Sequence, residues 1–257
     1  MVDLTVRGAG IFGLSIAWTA LRRGARVRVV DPNGPGAGSS GGVVGALQPH
    51  SPDRWSDKKQ FQLESLLQAG DFWRAVDSVS GCESGYARVG RLMPLIRDRD
   101  VELARSREKD AILRWDSKFL WRVVDRPDTW HPPSPSGLYV IDTLSAILNP
   151  RKAIDSLVTA IRNSGGDIVR EAKDQGSTVW ATGWKGLLEL SQVFDQPVGH
   201  GEKGQAALLE FDAAGHPQIY ADGLHFVPHL DGTLAIGSTT ERYFDCLLYT
   251  SPSPRDS

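Results

Sequence analysis

Val2 to Asp31, VDLTVRGAGIFGLSIAWTALRRGARVRVVD, is the stretch that decides how this chain is read. Val2, Leu4 and Val6 alternate with polar residues, the period of a β-strand. Gly8-Ala9-Gly10-Ile11-Phe12-Gly13 follows as a G-x-G-x-x-G. Leu14, Ala17, Trp18 and Leu21 recur at helical spacing, and Gly24 stands where a helix cap belongs. Val27, Val29 and Val30 form a second strand that ends at Asp31.

Each of these residues suits a dinucleotide. Gly8 permits a tight turn, Gly10 lets the backbone approach a pyrophosphate, and Gly13 lets helix and strand pack closely. The helix N-terminus offers unpaired N–H groups and a partial positive charge to the phosphates. Asp31 can accept hydrogen bonds from both ribose hydroxyls, and its charge would repel a 2′-phosphate, which disfavours NADP. A lone G-x-G-x-x-G is also compatible with a plain tight turn. The strand before it, the helix after it and the acid closing the next strand favour the dinucleotide. Arg7 is off-pattern, because a buried strand usually ends there in an apolar residue.

The 257 residues are enough for one large domain or two interleaved ones. A net charge of −2 gives no bulk attraction to DNA or RNA. No apolar run approaches the roughly 20 residues that span a bilayer. The first strand begins at Val2, which leaves no room for a leader. Cys82 and Cys246 make no disulfide framework. A cytoplasmic protein, or one peripheral at the inner membrane, is expected. From Cys246 the chain runs CLLYTSPSPRDS, a string that looks like read-through of a sequencing-library adapter. The natural frame is then expected to continue past Asp245. A natural Ser-Pro tail is the alternative.

After Asp31, residues 32–54 show no helical or strand period and hold six glycines beside Ser39 and Ser40. Such a stretch suits a flat or phosphorylated ligand, and long loops in compact domains tend to be functional. Asp57 to Val79 reads as an amphipathic helix with Phe61, Leu66, Phe72, Trp73, Val76 and Val79 inside. Tyr86–Ile96 reads as a strand, Arg97–Trp115 as a charged helix, and Phe119–Val124 and Leu138–Ile141 as strands around a proline-rich loop. Asn149 caps a helix that Pro150 starts. Asp167–Arg170 and Thr178–Ala181 are strands. The second runs into Trp180-Ala181-Thr182-Gly183-Trp184, another turn where backbone can meet a cofactor. Gly204–Phe211, Gln218–Tyr220, Leu224–Pro228 and Thr233–Gly237 suggest an antiparallel sheet. His50, His131, His200 and His229 lack metal-ligand spacing, so no metal is expected, and no nucleophile triad is visible.

GAGIFGLSIAW, VVDPN, GSSGGVVGALQPH, the helix after Asn149-Pro150-Arg151, VWATGW, Gly204-Gln205 and HFVPHLDGTLAIGSTTE occur in that order. Over about residues 1–245 this set resembles the FAD-dependent D-amino-acid oxidase and glycine oxidase (DAO) family. The resemblance implies an α/β fold: a glutathione-reductase-like, Rossmann-type FAD domain over 1–80 and 145–200. An interleaved antiparallel-sheet substrate domain would take 81–144 and 201–245, with 246–257 as a non-native tail. It implies FAD as cofactor, with Gly8, Gly10, Ile11, Phe12 and Gly13 at the pyrophosphate and Asp31 on the ribose. Ser39 and Ser40 would serve the phosphates, and Val44, Gly45 and Ala46 would lie beside the isoalloxazine. His225 falls where relatives place an aromatic or hydroxyl residue above the flavin; an ordinary strand residue is the other reading.

The implied reaction is oxidation of a C–N bond in a small amine or amino acid. A hydride passes to flavin N5, and the imine is hydrolysed by water, with the protein supplying orientation and electrostatics. Glycine, another D-amino acid, an N-methylated amino acid and a tRNA-bound carboxymethylaminomethyl group all fit, with oxygen or a quinone as electron acceptor. Another flavoenzyme, such as an FAD hydroxylase, or an inactive nucleotide-binding fragment is the alternative. Two departures from the family stand out. The small β-meander before the ATG strand is replaced by Glu171–Ser177, which puts Asp174 near the place of an adenine-contacting valine. The substrate arginine and last flavin loop of the family follow the GSTTE strand, where this chain carries its unusual tail, so the oxidising activity is expected to be incomplete in this truncated chain.

Overall fold

The computed structural model describes residues 1–115 and 117–242. The tail from Cys246 to Ser257 lies outside the described residues.

In chain order, β1 (Leu4–Arg7), α1 (Ile11–Arg22) and β2 (Val27–Val30) open the fold. A 3-10 turn at Ser39–Gly41 and the short β3 (Ala46–Leu47) break the glycine-rich stretch. Next come α2 (Asp57–Ser80), β4 (Arg91–Pro94), α3 (Asp98–Arg114), β5 (Trp121–Val124) and β6 (Tyr139–Asp142). β7 (Ala146–Ile147) precedes α4 (Pro150–Asn163), β8 (Asp167–Val169), β9 (Ser177–Trp180) and α5 (Gly183–Val193). The chain closes on β10 (Ala206–Glu210), β11 (Gln218–Ala221), β12 (Leu224–Pro228) and β13 (Thr233–Gly237).

Two sheets organise the molecule. A four-stranded sheet of order β8-β2-β1-β9 is parallel throughout. Leu4 and Val6 share a face with their partners Val27 and Val29, and that face packs with Leu14, Ala17 and Trp18 of α1 and with Ile154, Leu157 and Ile161 of α4. Burying the apolar stripes of both helices on one sheet face drives this layer together. The helix after Asn149 forms as its cap predicts: the Asn149 side chain accepts the Lys152 N–H at 3.3 Å.

The second sheet has seven strands in the order β10-β13-β12-β11-β4-β6-β5. It is antiparallel except at one point: β11 pairs with β4 in parallel, Gln218 opposite Arg91. That pair joins two blocks of chain far apart in sequence. Alternation then gives the sheet two unlike faces. Leu92, Ile219 and Phe226 pack together on one. Val227 and Ala235 lie on the other and meet Val43, Val44 and Ala46 of the glycine-rich stretch.

Two expectations change. The strand expected over Tyr86–Ile96 shrinks to β4, because Gly90 takes φ +75° and packs against the Asp142 carbonyl. In α2 the buried set is Leu63, Leu66, Trp73, Val76 and Ser80, whereas Phe61 is 75% exposed and Val79 faces out. Phe61 is five residues from Leu66, off the three-to-four spacing that keeps a side chain on one face. Among the described residues no helix is long and apolar enough to cross a membrane.

Candidate functional site

Gly10 is the N-cap residue of α1 and has no side chain to satisfy the exposed N–H groups, and the first turn carries no acid. The helix therefore presents unneutralised positive potential. Gly8 holds φ +107°, and a Cβ there would lie 2.2 Å from the Ala181 carbonyl oxygen. A Cβ on Gly13 would lie 1.9 Å from the Gly8 carbonyl oxygen, so only glycine lets helix and strand approach this closely. Asp31 ties the second strand to this turn. Its Oδ2 accepts the Ala9 N–H at 2.8 Å and its Oδ1 accepts the Asn33 N–H at 2.9 Å. Each oxygen keeps a lone pair for a further donor.

The glycine-rich stretch folds back over the turn. Gly36 donates its N–H to the Ala9 carbonyl at 2.9 Å, and the Ser40 hydroxyl accepts the Ile11 N–H at 3.0 Å. Ser40 thus occupies the first turn of α1, where a bound anion's oxygen would otherwise go. Further along, Leu148 donates its N–H to the Gly45 carbonyl at 2.9 Å. A Cβ on Gly45 would lie 1.8 Å from the Leu148 carbonyl oxygen.

These segments enclose a cleft of about 710 Å³. Gly8, Gly10, Ile11, Phe12, Asp31, Ser39, Ser40, Val44, Gly45 and Ala46 all line it. Gly13 does not, because it is spent on helix–strand packing. The volume falls within the about 300–1,000 Å³ of small-molecule sites. Arg7, off-pattern as the end of a buried strand, lines the same cleft with Trp180, as do Trp184 and Lys185 after the ATG turn.

His225 stands apart from this lining. It lies on β12 opposite Tyr220 and Gly237, on the sheet face that looks toward Val43–Ala46. Its ring centroid is 4.7 Å from that of Tyr220, and its Nδ1 is buried with no hydrogen-bond partner. Burial, aided by the charge of Arg91, lowers the pKa of the imidazole. On the same face, Arg91 donates from Nε to Asp142 Oδ2 at 2.8 Å and from Nη1 to the Gln48 side-chain oxygen. Asp142 is fully buried and also accepts from the Ser145 N–H and hydroxyl.

The His229 imidazole is also lowered in pKa, by burial foremost and by Lys152, against the opposing pull of Asp231 and the Val43 carbonyl. Asp231 behaves differently. Burial works to raise it, but hydrogen bonds from Lys152 and Thr233 prevail and bring it to about 2. Lys152 lies in the first turn of α4, so this ion pair, 2.8 Å long, fastens the β12–β13 turn to the helix beside the cleft.

The model of the family described as FAD dependent oxidoreductase (DAO) matches residues 3–256. No curated protein matches significantly. Among solved structures, iminodiacetate oxidase from Chelativorans sp. BNC1 superposes with a TM-score of 0.74 at 20% identity, over 97% of this chain and 75% of that one. Glycine oxidase from Geobacillus kaustophilus gives 0.73 at 15% identity, over 95% and 73%. L-amino acid deaminase from Proteus vulgaris gives 0.70 at 18% identity, over 92% of this chain and 60% of that one. This chain thus spans three fifths of the deaminase's length, and likeness at these identities speaks for the fold.

Proposed function

This chain belongs to the DAO family of FAD-dependent oxidoreductases, and from that premise we propose that it serves the FAD-dependent oxidation of a small amine or amino acid. The observation that carries the reading is the course of the cleft. It runs from Asp31, past the Ser40-capped amino end of α1, to Val44–Ala46, and the sheet face bearing His225 turns toward that end.

In this reading Asp31 grips the adenosine ribose. The N–H groups at the start of α1, with Ser39 and Ser40, take the two phosphates. Val44, Gly45 and Ala46 bring backbone against the ring system. Bound there, FAD would supply the two-electron acceptor for a C–N bond. Residues 1–80 and 145–200 would form the unit that holds it, and 81–144 with 201–242 the unit above, in a cytoplasmic protein; the boundary expected at residue 245 lies outside the described residues. His225, kept neutral, can take a proton from a substrate ammonium group, and the free amine is the form whose C–N bond can be oxidised.

Titrating the purified apoprotein with FAD, then adding amines anaerobically, tests this. The expected result is a yellow protein whose visible absorbance bleaches with one of glycine, a D-amino acid or an N-methylated amino acid. His225→Gln should slow bleaching and flatten its pH dependence below neutrality without loss of bound FAD. A protein that takes up no flavin would overturn the reading, and so would a yellow protein that no amine bleaches. Adding oxygen or a quinone to the reduced protein then identifies the acceptor.

A further inference from the structure

We propose that Trp180 and Arg7 form the stacking platform for the adenine of the cofactor, a proposal that rests on the FAD reading above. Strand register supplies the geometry. Arg7 of β1 is the register partner of Val30 of β2 on one side and of Trp180 of β9 on the other, a row across three neighbouring strands. In a parallel sheet such partners point the same way. Strands lie about 4.8 Å apart, so the row spans about 10 Å, the breadth of a purine with its sugar. All three residues line the cleft at the carboxyl ends of the strands, where open α/β sheets take nucleotides. Asp31, the ribose acid, follows Val30 directly.

The side chains suit a flat, electron-rich ring. Trp180 is 66% exposed, an unusual state for so large an apolar residue at the end of a sheet strand. The guanidinium of Arg7 lies over its indole, 5.7 Å from the centroid. Arg7 is fixed in turn by Asp174, Nη2 to Oδ1 at 2.6 Å, and by the Ala172 carbonyl at 3.1 Å. Both belong to the short connection between β8 and β9. That connection leaves this end of the sheet uncovered and holds the arginine plane steady there. Arg7, anomalous as the end of a buried strand, is thereby accounted for. A base laid on the row would cover Trp180 and stack against guanidinium and indole together, as single-stranded bases stack on aromatic and arginine platforms.

The test measures binding of FAD and of ADP to the apoprotein by calorimetry, beside its unfolding midpoint. Wild type should bind both. Trp180→Ala should weaken both by about tenfold or more, Trp180→Phe should restore most of the loss, and the unfolding midpoint should stay put. Wild-type affinity in Trp180→Ala would overturn the platform. So would a loss that phenylalanine does not restore and a lowered midpoint accompanies, because Trp180 would then be a packing residue. A wild-type protein that binds neither ligand overturns the cofactor reading itself, which separates the two failures.

Discussion

Gly45 is the residue at which the cleft and the body of the protein are least forgiving. Its backbone conformation is open to other residues; what excludes them is the Leu148 carbonyl oxygen 1.8 Å from where a Cβ would sit. The carbonyl cannot withdraw freely, since the Leu148 N–H is bonded to the Gly45 carbonyl. Gly45→Ala should therefore cost about 1–3 kcal/mol of stability and weaken FAD binding, as overpacking against fixed backbone does. Gly42 is the control: only the Ser39 carbonyl oxygen, at 3.6 Å, approaches its Cβ position and its backbone is extended, φ −64° and ψ −174°, so Gly42→Ala should be close to neutral in urea unfolding. The Arg91–Asp142 pair, with side chains 6% and 0% exposed, makes a second residue-scale case. Asp142→Ala leaves a guanidinium buried without its counter-charge and should cost about 3–5 kcal/mol. Replacing both partners with Arg91→Met and Asp142→Leu should cost less than the single change. Equal losses in the two proteins would show that the Ser145 bonds, and not the charge, are what matter.

Helix α2 shows what sets an element's inner face. Its apolar residues outnumber the places on one stripe, so composition alone does not say which go inside. The phase is fixed by Trp73 and Val76 packing beside α4, and by Leu63 and Leu66, which join the core around Trp115. Leu63→Ala should then destabilise the protein by about 2–5 kcal/mol. Phe61→Ser, on the exposed side, should stay within about 0.5 kcal/mol. Chemical unfolding of the two variants decides it, and a large loss for Phe61 would mean the helix is rotated. The same contrast separates what was legible in the sequence from what was not. β1, α1, β2 and the cap at Asn149 are written in short-range signals: period, glycine spacing, a side chain reaching its own helix. That Gly8, Gly10, Ile11 and Phe12 share a turn with Asp31 was legible for the same reason, because glycine spacing and the end of β2 set it, whereas their part in holding a cofactor is the proposal. The β4–β11 pairing, the short β3 and β7, and the row Val30–Arg7–Trp180 depend on register between distant segments. No local pattern encodes that register. Arg7 broke the strand pattern, and that was the one visible trace of it.

For the whole molecule, the consequential surface is the inner face of the seven-stranded sheet, where it meets the glycine-rich stretch. Two imidazoles stand there with depressed pKa, each for want of water. The charged group facing His225 is Arg91; His229 faces Asp231 and Lys152, beside the Val43 carbonyl and the Thr233 hydroxyl. In the unfolded chain both rings take up a proton near the ordinary value of 6.5, whereas in the folded protein they resist it to lower pH. Between those points the unfolded state binds more protons, so stability rises with pH through the window and falls as the solution is acidified. Asp231 adds a second, lower step. Its pKa drops from 3.8 to about 2 on folding, so the stability it lends is complete above 3.8 and fades below that value. The urea midpoint should therefore begin to fall as pH drops below 6.5, before Asp231 takes up its proton, with a further decline in strong acid. His225→Gln combined with His229→Gln should remove the upper step and leave the lower one. If the double variant keeps the wild-type slope between neutrality and mild acid, the two rings are not what opposes protonation, and the sheet face does not control the stability of the fold.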